Sequence, residues 1–190
     1  MYTLFISTYD KLVTIGLLQD GNEISKIEKL SDRGHSTILV PSIQEILKQN
    51  QLDTKNLNEI IVVNGPGSFT GIRLGVTVAK TLAYTLNIKI KTITSIEAIA
   101  ASIKDGNKII TIDDPKGKYL GKFINNRLQE LIYLKQDEAI KYLEKIDIKT
   151  YNAQGLNLES IYQYTLNIDE TPAHAVKATY IKGIEALNGK

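Results

Sequence analysis

The sequence predicts an α/β protein of two lobes, of which the second is the smaller. Three short segments rich in β-branched and aromatic residues open the chain, strands and helices then alternate up to about residue 104, and the same opening order restarts more weakly afterwards. Such an alternation predicts sheets covered by helices. We expect a βββαβα lobe over residues 1–104, a smaller lobe over residues 105–190, and a hinge at Asp105-Gly106-Asn107.

The first lobe is expected to begin as a three-stranded meander. Strands are predicted at residues 2–8, 12–18 and 23–30, and Asp20-Gly21-Asn22 is typical of the hairpin turn between the last two. A first helix follows over residues 35–48, with Pro41 inside it. Its apolar residues recur at helical spacing: Ile38, Leu39, Ile43, Ile46 and Leu47.

The rest of the first lobe is organised around a glycine-rich turn. Ile60-Ile61-Val62-Val63 is a continuous apolar run, which predicts a strand buried on both faces. Gly65-Pro66-Gly67 ends that strand, and Ser68 is suited to cap a second helix that continues to about residue 86. A strand at residues 88–93 and a helix from about residue 95 to residue 102 complete the lobe.

The second half repeats this opening in a reduced form. Strands are predicted at residues 108–112, 119–124 and 128–134, and short helices at residues 137–145 and 158–165. A turn separates the first two of these strands at residues 113–117. The tail contains Val176–Ile181 and ends in a short helical patch.

Composition excludes several classes of function. The chain has 190 residues, no cysteine, 43% apolar residues and a formal net charge of +2, so thiolate chemistry and disulfide frameworks are excluded. The N-terminus lacks the features of a signal peptide, and no apolar run is long enough to span a bilayer. We therefore expect a cytoplasmic protein without a membrane partner. The small net charge predicts that any contact with RNA is indirect, through a partner.

The glycine loop has two interpretations. Free backbone N–H groups at the start of a helix can cradle a phosphate. Alternatively, Gly65 and Gly67 merely permit a tight turn from strand to helix. The loop is neither a Walker A motif nor a Rossmann fingerprint, which disfavours a nucleotide triphosphatase.

A stripe of small residues follows within the second helix. Gly71, Gly75, Ala79 and Ala83 recur every four residues and so share one face. Two glycines inside a helix cost about 1 kcal/mol each relative to alanine, which calls for a reason. Either the stripe packs closely within the lobe, or it forms a helix–helix contact with another subunit.

The loop and the helix together resemble a known family. The segment Asn64–Val76, NGPGSFTGIRLGV, is similar to the signature of the TsaB family, also called YeaZ, and the similarity continues through Ala79-Lys80 and Leu82-Ala83. His35–Pro41 resembles the start of that family's first helix, and Thr179-Tyr180-Ile181-Lys182 resembles its C-terminal Tyr-Leu-Arg element. Asp113 and the turn after it are similar to the start of its second lobe. The resemblance is strongest over residues 1–100.

The resemblance implies a fold and a role. The fold is the two-lobe, ribonuclease H-like architecture of actin, Hsp70 and sugar kinases. The role is that of a non-catalytic scaffold that binds TsaD, the subunit that transfers a threonylcarbamoyl group to the adenosine beside the anticodon of tRNA, with a TsaE-type ATPase joining the pair. Docking is expected through the first two helices. The predicted interface residues are Ile38, Leu39, Ser42, Ile46, Gly71, Ile72, Gly75, Val76, Ala79 and Lys80.

Three features favour a chain without catalytic groups, cofactor or metal. Ser7 occupies the strand-end position where this fold usually carries a carboxylate, and Asp10 could replace it only if the strand end were displaced. His35 lacks a second histidine four residues on, where Leu39 stands, so a capping or hydrogen-bonding role is expected. Ser68 has no base in its sequence neighbourhood.

The remaining acidic pair, Asp113 and Asp114, is expected to be a solvated turn rather than a metal site. Three alternatives stay open at this point: a small ATP-binding kinase, a metalloprotease-like protein of the same fold, and a scaffold that pairs only with itself. A homodimer through the small-residue face is also expected for the chain in isolation, in competition with the heterodimer.

Overall fold

The computed structural model describes residues 1–31, 34–152 and 155–181. Two sequence-based predictions lie outside these residues: the part of the first loop formed by Asp32 and Arg33, and the helical patch at the end of the chain.

The first lobe is built on a five-stranded sheet in the order β3-β2-β1-β4-β5. β1 to β3 form an antiparallel meander, and β4 and β5 continue the sheet parallel to β1. The strands are β1 (Tyr2–Ser7), β2 (Leu12–Gln19), β3 (Asn22–Leu30), β4 (Leu57–Val63) and β5 (Lys89–Ile93). The helices are α1 (Ser36–Gln49), α2 (Phe69–Leu86) and α3 (Ser95–Ala101). The predicted order of the lobe is confirmed.

The second sheet repeats the topology of the first. Its order, β8-β7-β6-β9, corresponds to β3-β2-β1-β4, with an antiparallel meander and one parallel strand. The strands are β6 (Lys108–Asp114), β7 (Gly117–Ile124), β8 (Arg127–Lys135) and β9 (Thr150–Asn152), and the helices are α4 (Gln136–Glu144) and α5 (Leu158–Thr165). β9 was not predicted, because three residues are too few to show an alternating pattern.

Helices cover both faces of the first sheet. Thr8, directly after the end of β1, contacts α2. Phe5 of β1 lies on the opposite face beside Gly16, whose α-carbon is against Leu158 of α5. α1 and α2 therefore form one layer, and α5 covers the other side together with α3. Two short 3-10 turns, Thr54–Asn56 and Ala173–Ala175, lie in the connections.

The main core is continuous between the lobes. It includes Ile110 and Phe123 of the second sheet and Ile161 of α5 together with the apolar residues of the first sheet. The division of the chain at residue 104 stays a prediction. Both α5 and the tail come after this residue in the sequence, but they pack on elements of the first lobe. Within the described residues, no helix has the length and hydropathy needed to cross a membrane.

A buried polar cluster fixes α5 to the first sheet. Lys91 of β5 donates to the carbonyl of Thr165 at 2.9 Å, and its ammonium lies 3.7 Å from a carboxylate oxygen of Glu59 on β4. Both side chains are almost inaccessible, with exposed fractions of 11% and 5%. The hydrogen bond from Lys91 to the Thr165 carbonyl therefore ties the end of α5 to the sheet.

Candidate partner-docking surface

The glycine loop is held by hydrogen bonds within the lobe. Ser68 N donates to the carbonyl of Tyr9 at 2.6 Å, while Ser95 donates from its backbone N to Gly65 O at 2.9 Å and from its hydroxyl to Pro66 O at 2.5 Å. Gly67 has φ of 149°, and a side chain there would collide with the Tyr9 carbonyl. These contacts favour the tight-turn interpretation over a phosphate cradle.

The start of α2 is capped as the sequence predicts. The hydroxyl of Ser68 accepts a hydrogen bond from Gly71 N at 3.2 Å. This satisfies one of the N–H groups that the first helical turn leaves without a backbone partner. Ser68 is thus confirmed as a helix cap.

The C-terminal tail crosses the glycine loop. Thr179 N donates to Asn64 O at 2.7 Å, and the Asn64 amide donates to Lys177 O at 3.2 Å. Val176 beside these contacts is buried. Farther along α2, Lys80 donates to the carbonyl of His174 at 3.4 Å. The tail therefore runs beside α2.

His35 has a structural partner. Its Nε2 lies 2.7 Å from the backbone carbonyl of Asp10 and must carry the proton there, because a carbonyl only accepts. The carboxylate of Asp10 accepts from Leu12 N at 3.0 Å, and burial raises the pKa of that carboxyl. Leu39 is fully buried. The predicted hydrogen-bonding role of His35 is confirmed.

The strand end carries a neutral, buried hydroxyl. Ser7 is inaccessible to solvent, and its oxygen has no hydrogen-bond partner among the residues that the structure describes. Tyr9, two residues on, is also buried, and this burial raises the pKa of its phenol. Asp10 lies beyond the end of β1, in the connection to β2.

The acidic turn between β6 and β7 is engaged in local contacts. Asp113 pairs with Lys118 and accepts from the Asn152 amide at 3.2 Å. These contacts lower the pKa of the Asp113 carboxyl, and the hydrogen bond from Lys118 is the largest cause. Asp114 accepts from the hydroxyl of Tyr133 at 3.0 Å. The side chain of Asp113 stays largely exposed, so the pair lies in a solvated turn, as predicted, and also makes hydrogen bonds to the neighbouring strands.

The small-residue stripe of α2 packs inside the lobe. Thr8 donates from its hydroxyl to Gly71 O at 2.7 Å. A methyl group on Gly75 would collide with this hydroxyl, and one on Gly71 would collide with the Thr8 carbonyl and approach His35 Nε2 to 2.9 Å. Ala79 and Ala83 continue the same buried face. The two glycines are thus explained by the close approach of α2 to β1.

Most of the predicted interface residues face inward. Those buried in the lobe are Leu39, Ser42, Ile46, Gly71, Ile72, Gly75, Val76 and Ala79. Only Ile38 and Lys80 of the predicted set are partly exposed. The other eight are enclosed in the lobe and are not available for direct contact with a partner, because the apolar and small residues are the ones that α1 and α2 present to the sheet. Docking through the two helices stays a prediction.

The outer layer of the two helices presents other residues to solvent. We call the outer face the exposed set Thr37, Val40, Gln44 and Lys48 of α1, Phe69, Arg73, Thr77 and Tyr84 of α2, and Tyr180 of the tail. Its large apolar side chains are well exposed, at 45% for Val40, 53% for Phe69 and 77% for Tyr84. α2 contains no acidic residue, so Arg73 and Lys80 make its surface basic.

One cluster on the outer face is pre-organised. The Arg73 guanidinium lies 3.7 Å from the centre of the Phe69 ring and donates from Nε to the Tyr180 hydroxyl at 2.7 Å. The two aromatic rings are 5.8 Å apart. Phe69 and Arg73 are one helical turn apart, so the sequence could have suggested this pair, but the contribution of Tyr180 depends on the path of the tail.

This architecture defines a class of protein. The chain has two sheets of repeated topology, a helical layer on each face of the first sheet, and a glycine turn from strand to helix. These features are those of the two-lobe fold of actin, Hsp70 and sugar kinases, here with a reduced second lobe. YeaZ from Pseudomonas aeruginosa has the same fold, with a TM-score of 0.78 over 94% of this chain and all of that one, at 14% identity. A P. aeruginosa protein described as similar to peptidase YEAZ aligns with a TM-score of 0.79 over 95% and 99% of the two chains, at 15% identity.

Sequence comparison identifies the family. The model for TsaD, tRNA N6-adenosine threonylcarbamoyltransferase, matches residues 26–153, well over half of the chain. The chain belongs to that family, on its TsaB (YeaZ) branch.

Two curated relatives carry the name tRNA threonylcarbamoyladenosine biosynthesis protein TsaB. The protein from Bacillus subtilis is 32% identical over 137 residues, which are 70% of this chain and 60% of that protein. The protein from Buchnera aphidicola subsp. Baizongia pistaciae is 27% identical over 200 residues, which are 98% and 85% of the two chains. The chain thus spans less than two thirds of the B. subtilis relative.

Proposed function

We propose that this chain is a non-catalytic subunit that binds a TsaD-type transferase and supports the formation of threonylcarbamoyladenosine beside the anticodon of tRNA. The names of its curated relatives attribute to them a part in tRNA threonylcarbamoyladenosine biosynthesis. The observation that carries the docking proposal is the exposed cluster of Phe69, Arg73 and Tyr180 on the outer face.

The cluster has the properties of an interface anchor. Tyrosine and arginine are among the residues that contribute most to binding at protein interfaces. Arg73 is already held by the ring of Phe69 and the hydroxyl of Tyr180, so a partner would immobilise few additional rotamers. A guanidinium has five N–H donors, and only one of them is used by Tyr180. We expect the partner to supply a carboxylate for the remaining donors and an apolar surface for the rings.

The proposal leaves the transfer chemistry to the partner. In this chain Ser7 places a neutral hydroxyl where a metal–nucleotide complex would require a carboxylate. The imidazole of His35 is used in a hydrogen bond to a backbone carbonyl, and Leu39 lies in the core at the position of a second metal-binding histidine. We propose further that a TsaE-type ATPase joins the pair, and that tRNA is bound mainly through the partner, since the net charge here is only +2.

Light scattering of mixtures with the TsaD-type partner tests docking. We expect a heterodimer with the wild-type chain, and a dissociation constant raised by about thirtyfold or more for Arg73→Glu, since loss of an interface anchor costs about 2 kcal/mol or more. Phe69→Ala is expected to act in the same direction. Arg127→Glu, an equal change of charge at an exposed residue at the start of β8, should leave binding unchanged.

Three results would contradict the proposal. One is equal binding of Arg73→Glu and Arg127→Glu, with both variants shown by circular dichroism to be folded. Another is a mixture that contains homodimers of this chain and no heterodimer, which would favour a self-pairing scaffold. The third is tight, stoichiometric binding of ATP with Mg²⁺ by the isolated chain in calorimetry, which would favour a kinase-like protein.

A further inference from the structure

A cavity on the opposite side of the first sheet from α2 is lined in part by a buried lysine, Lys108. The cavity has a volume of about 290 Å³ and lies between α3, α5 and the second sheet. Ala101, Lys104, Lys108, Phe123, Asn126 and Ser160 contribute to its lining. It shares no lining residue with the outer face.

The ammonium of Lys108 is paired with neutral oxygens. The residue is 1% exposed, and its Nζ donates to Ile103 O at 2.6 Å and to the Asn126 side-chain oxygen at 2.9 Å. Within the described residues no carboxylate forms a salt bridge with it, and the nearby Asp105 is engaged by Tyr151 and Lys149. An ammonium has three donors, so one N–H is left by these two hydrogen bonds. Burial lowers the pKa of Lys108, which reflects an incompletely compensated charge.

Regular elements hold these groups in place. Lys108 is the first residue of β6, and Ile103 follows the end of α3. Asn125 and Asn126 have φ of 51° and 61°, the left-handed pair that a two-residue hairpin turn requires and that asparagine tolerates well. Asn126 N also donates to Gly106 O at 2.8 Å, which ties this turn to the segment before β6. The cation and its neighbours are therefore positioned by the fold before any ligand arrives.

We propose that this cavity binds a small organic carboxylate. The single buried cation of Lys108 matches a ligand with one negative charge. The methyl group of Ala101 and the ring of Phe123 form an apolar wall, and the exposed Lys104 adds positive charge at the rim. The volume is just below the usual range for ligand sites, about 300–1,000 Å³, which favours a compact molecule. The carboxylate accepts the remaining N–H of Lys108, and the apolar body contacts Phe123. This proposal does not depend on docking to a transferase.

Benzoate and its neutral isostere benzamide test the proposal on the full chain. Amide chemical shifts in a ¹⁵N-labelled sample should change saturably with benzoate for residues around Lys108, Phe123 and Ser160. Benzamide has the same shape without the charge, so it should bind at least about tenfold more weakly. Equal binding of the two compounds, or benzoate-dependent shifts that map elsewhere on the molecule, would overturn the proposal. Saturable shifts with inorganic phosphate but not benzoate would likewise overturn the assignment to a carboxylate.

Two variants separate ligand binding from folding. Lys108→Met removes the cation and should weaken benzoate binding about tenfold or more, whereas the matched control Lys122→Met, on the opposite face of β7 from Phe123, should bind normally. Ala101→Leu fills the cavity while Lys108 stays in place, and it should abolish binding as well. Ala101 is only half-buried in α3, so the leucine should be tolerated by the fold. This variant therefore tests ligand binding in the cavity even if Lys108→Met does not fold. Wild-type affinity in folded Ala101→Leu would refute the site.

Discussion

The contact between α2 and β1 makes a strong prediction for Gly75→Ala. Gly75 lies within α2, where alanine is normally the more stable residue by about 1 kcal/mol. On helix propensity alone the substitution should therefore stabilise the protein. The structure predicts the opposite, because the new methyl group would overlap the hydroxyl of Thr8.

The size of the effect follows from the two contacts that must change. Forcing a methyl group into a packed core costs about 1–3 kcal/mol. Moving Thr8 away breaks its buried hydrogen bond to Gly71 O, now 2.7 Å long, and a buried hydroxyl left unpaired costs about 1–3 kcal/mol. After the gain in helix propensity, Gly75→Ala should lower the free energy of unfolding by roughly 3 kcal/mol.

A double-mutant cycle with Thr8→Ala isolates the cause. Urea unfolding followed by circular dichroism gives the free energy of each variant by linear extrapolation. Without the Thr8 hydroxyl, the methyl group of Gly75→Ala has room, so in that background the substitution should be neutral or stabilising by up to about 1 kcal/mol. An increase in stability on Gly75→Ala in the wild-type background would refute the reasoning and return the small-residue stripe to the candidates for a subunit contact.

Other substitutions test the remaining contacts. Lys91→Met should lower the free energy of unfolding in urea by about 3 kcal/mol or more, because it leaves the Glu59 carboxylate buried without its partner. The double variant Lys91→Met with Glu59→Leu should lower it by less, and equal losses would contradict a coupled pair. Ser68→Ala should lower stability by about 1 kcal/mol through loss of the helix cap, and no measurable change would contradict that role. Burial first, and then the hydrogen bond to Glu130, raise the pKa of Tyr142 from 10.0 to about 12, so the folded state keeps this proton when the unfolded state has lost it. The Tyr142 contribution to stability is therefore present below pH 10 and lost between pH 10 and about 12. A tyrosinate absorbance titration that compares wild type with Tyr142→Phe gives the pKa of Tyr142, and ionisation of Tyr142 near pH 10 would contradict this prediction.

The elements of the fold could be predicted because their signals are local. The period of apolar residues, the hairpin turn at Asp20-Gly21 and the cap at Ser68 each depend on a few neighbouring residues, and all are found where the sequence indicates. The role of His35 could also be predicted from the missing second histidine. β9 could not, because its three residues form a strand only through pairing with β6.

The orientation of the helices could not be predicted from one sequence. Gly75 and Ala79 suggest a close approach, but nothing local states whether the approaching element is β1 of the same chain or a helix of another. The buried face follows from the position of Thr8, which is far away in the sequence. The cluster around Arg73 likewise depends on the tail that brings Tyr180 to it.

The burial of Lys108 could not be predicted for a related reason. A lysine at the start of an apolar strand is normally placed at a solvated edge, and it gives no sign of burial in the sequence. Its enclosure results from the packing of α3 and the β7–β8 turn around β6. The signal that was present is the Asn125-Asn126 pair, which predicts a tight turn but not the lysine that it would contact.

Reconstitution of tRNA modification with purified proteins tests the central claim most directly. The TsaD-type partner, the threonylcarbamoyl-adenylate donor, a TsaE-type ATPase and tRNA would be combined with and without this chain, and threonylcarbamoyladenosine measured in the tRNA. We predict product only when both this chain and the partner are present, and a reduced yield with Arg73→Glu but not with Arg127→Glu. Product formed by this chain without the partner, or an equal yield from the partner in its absence, would contradict the assignment of a non-catalytic docking subunit.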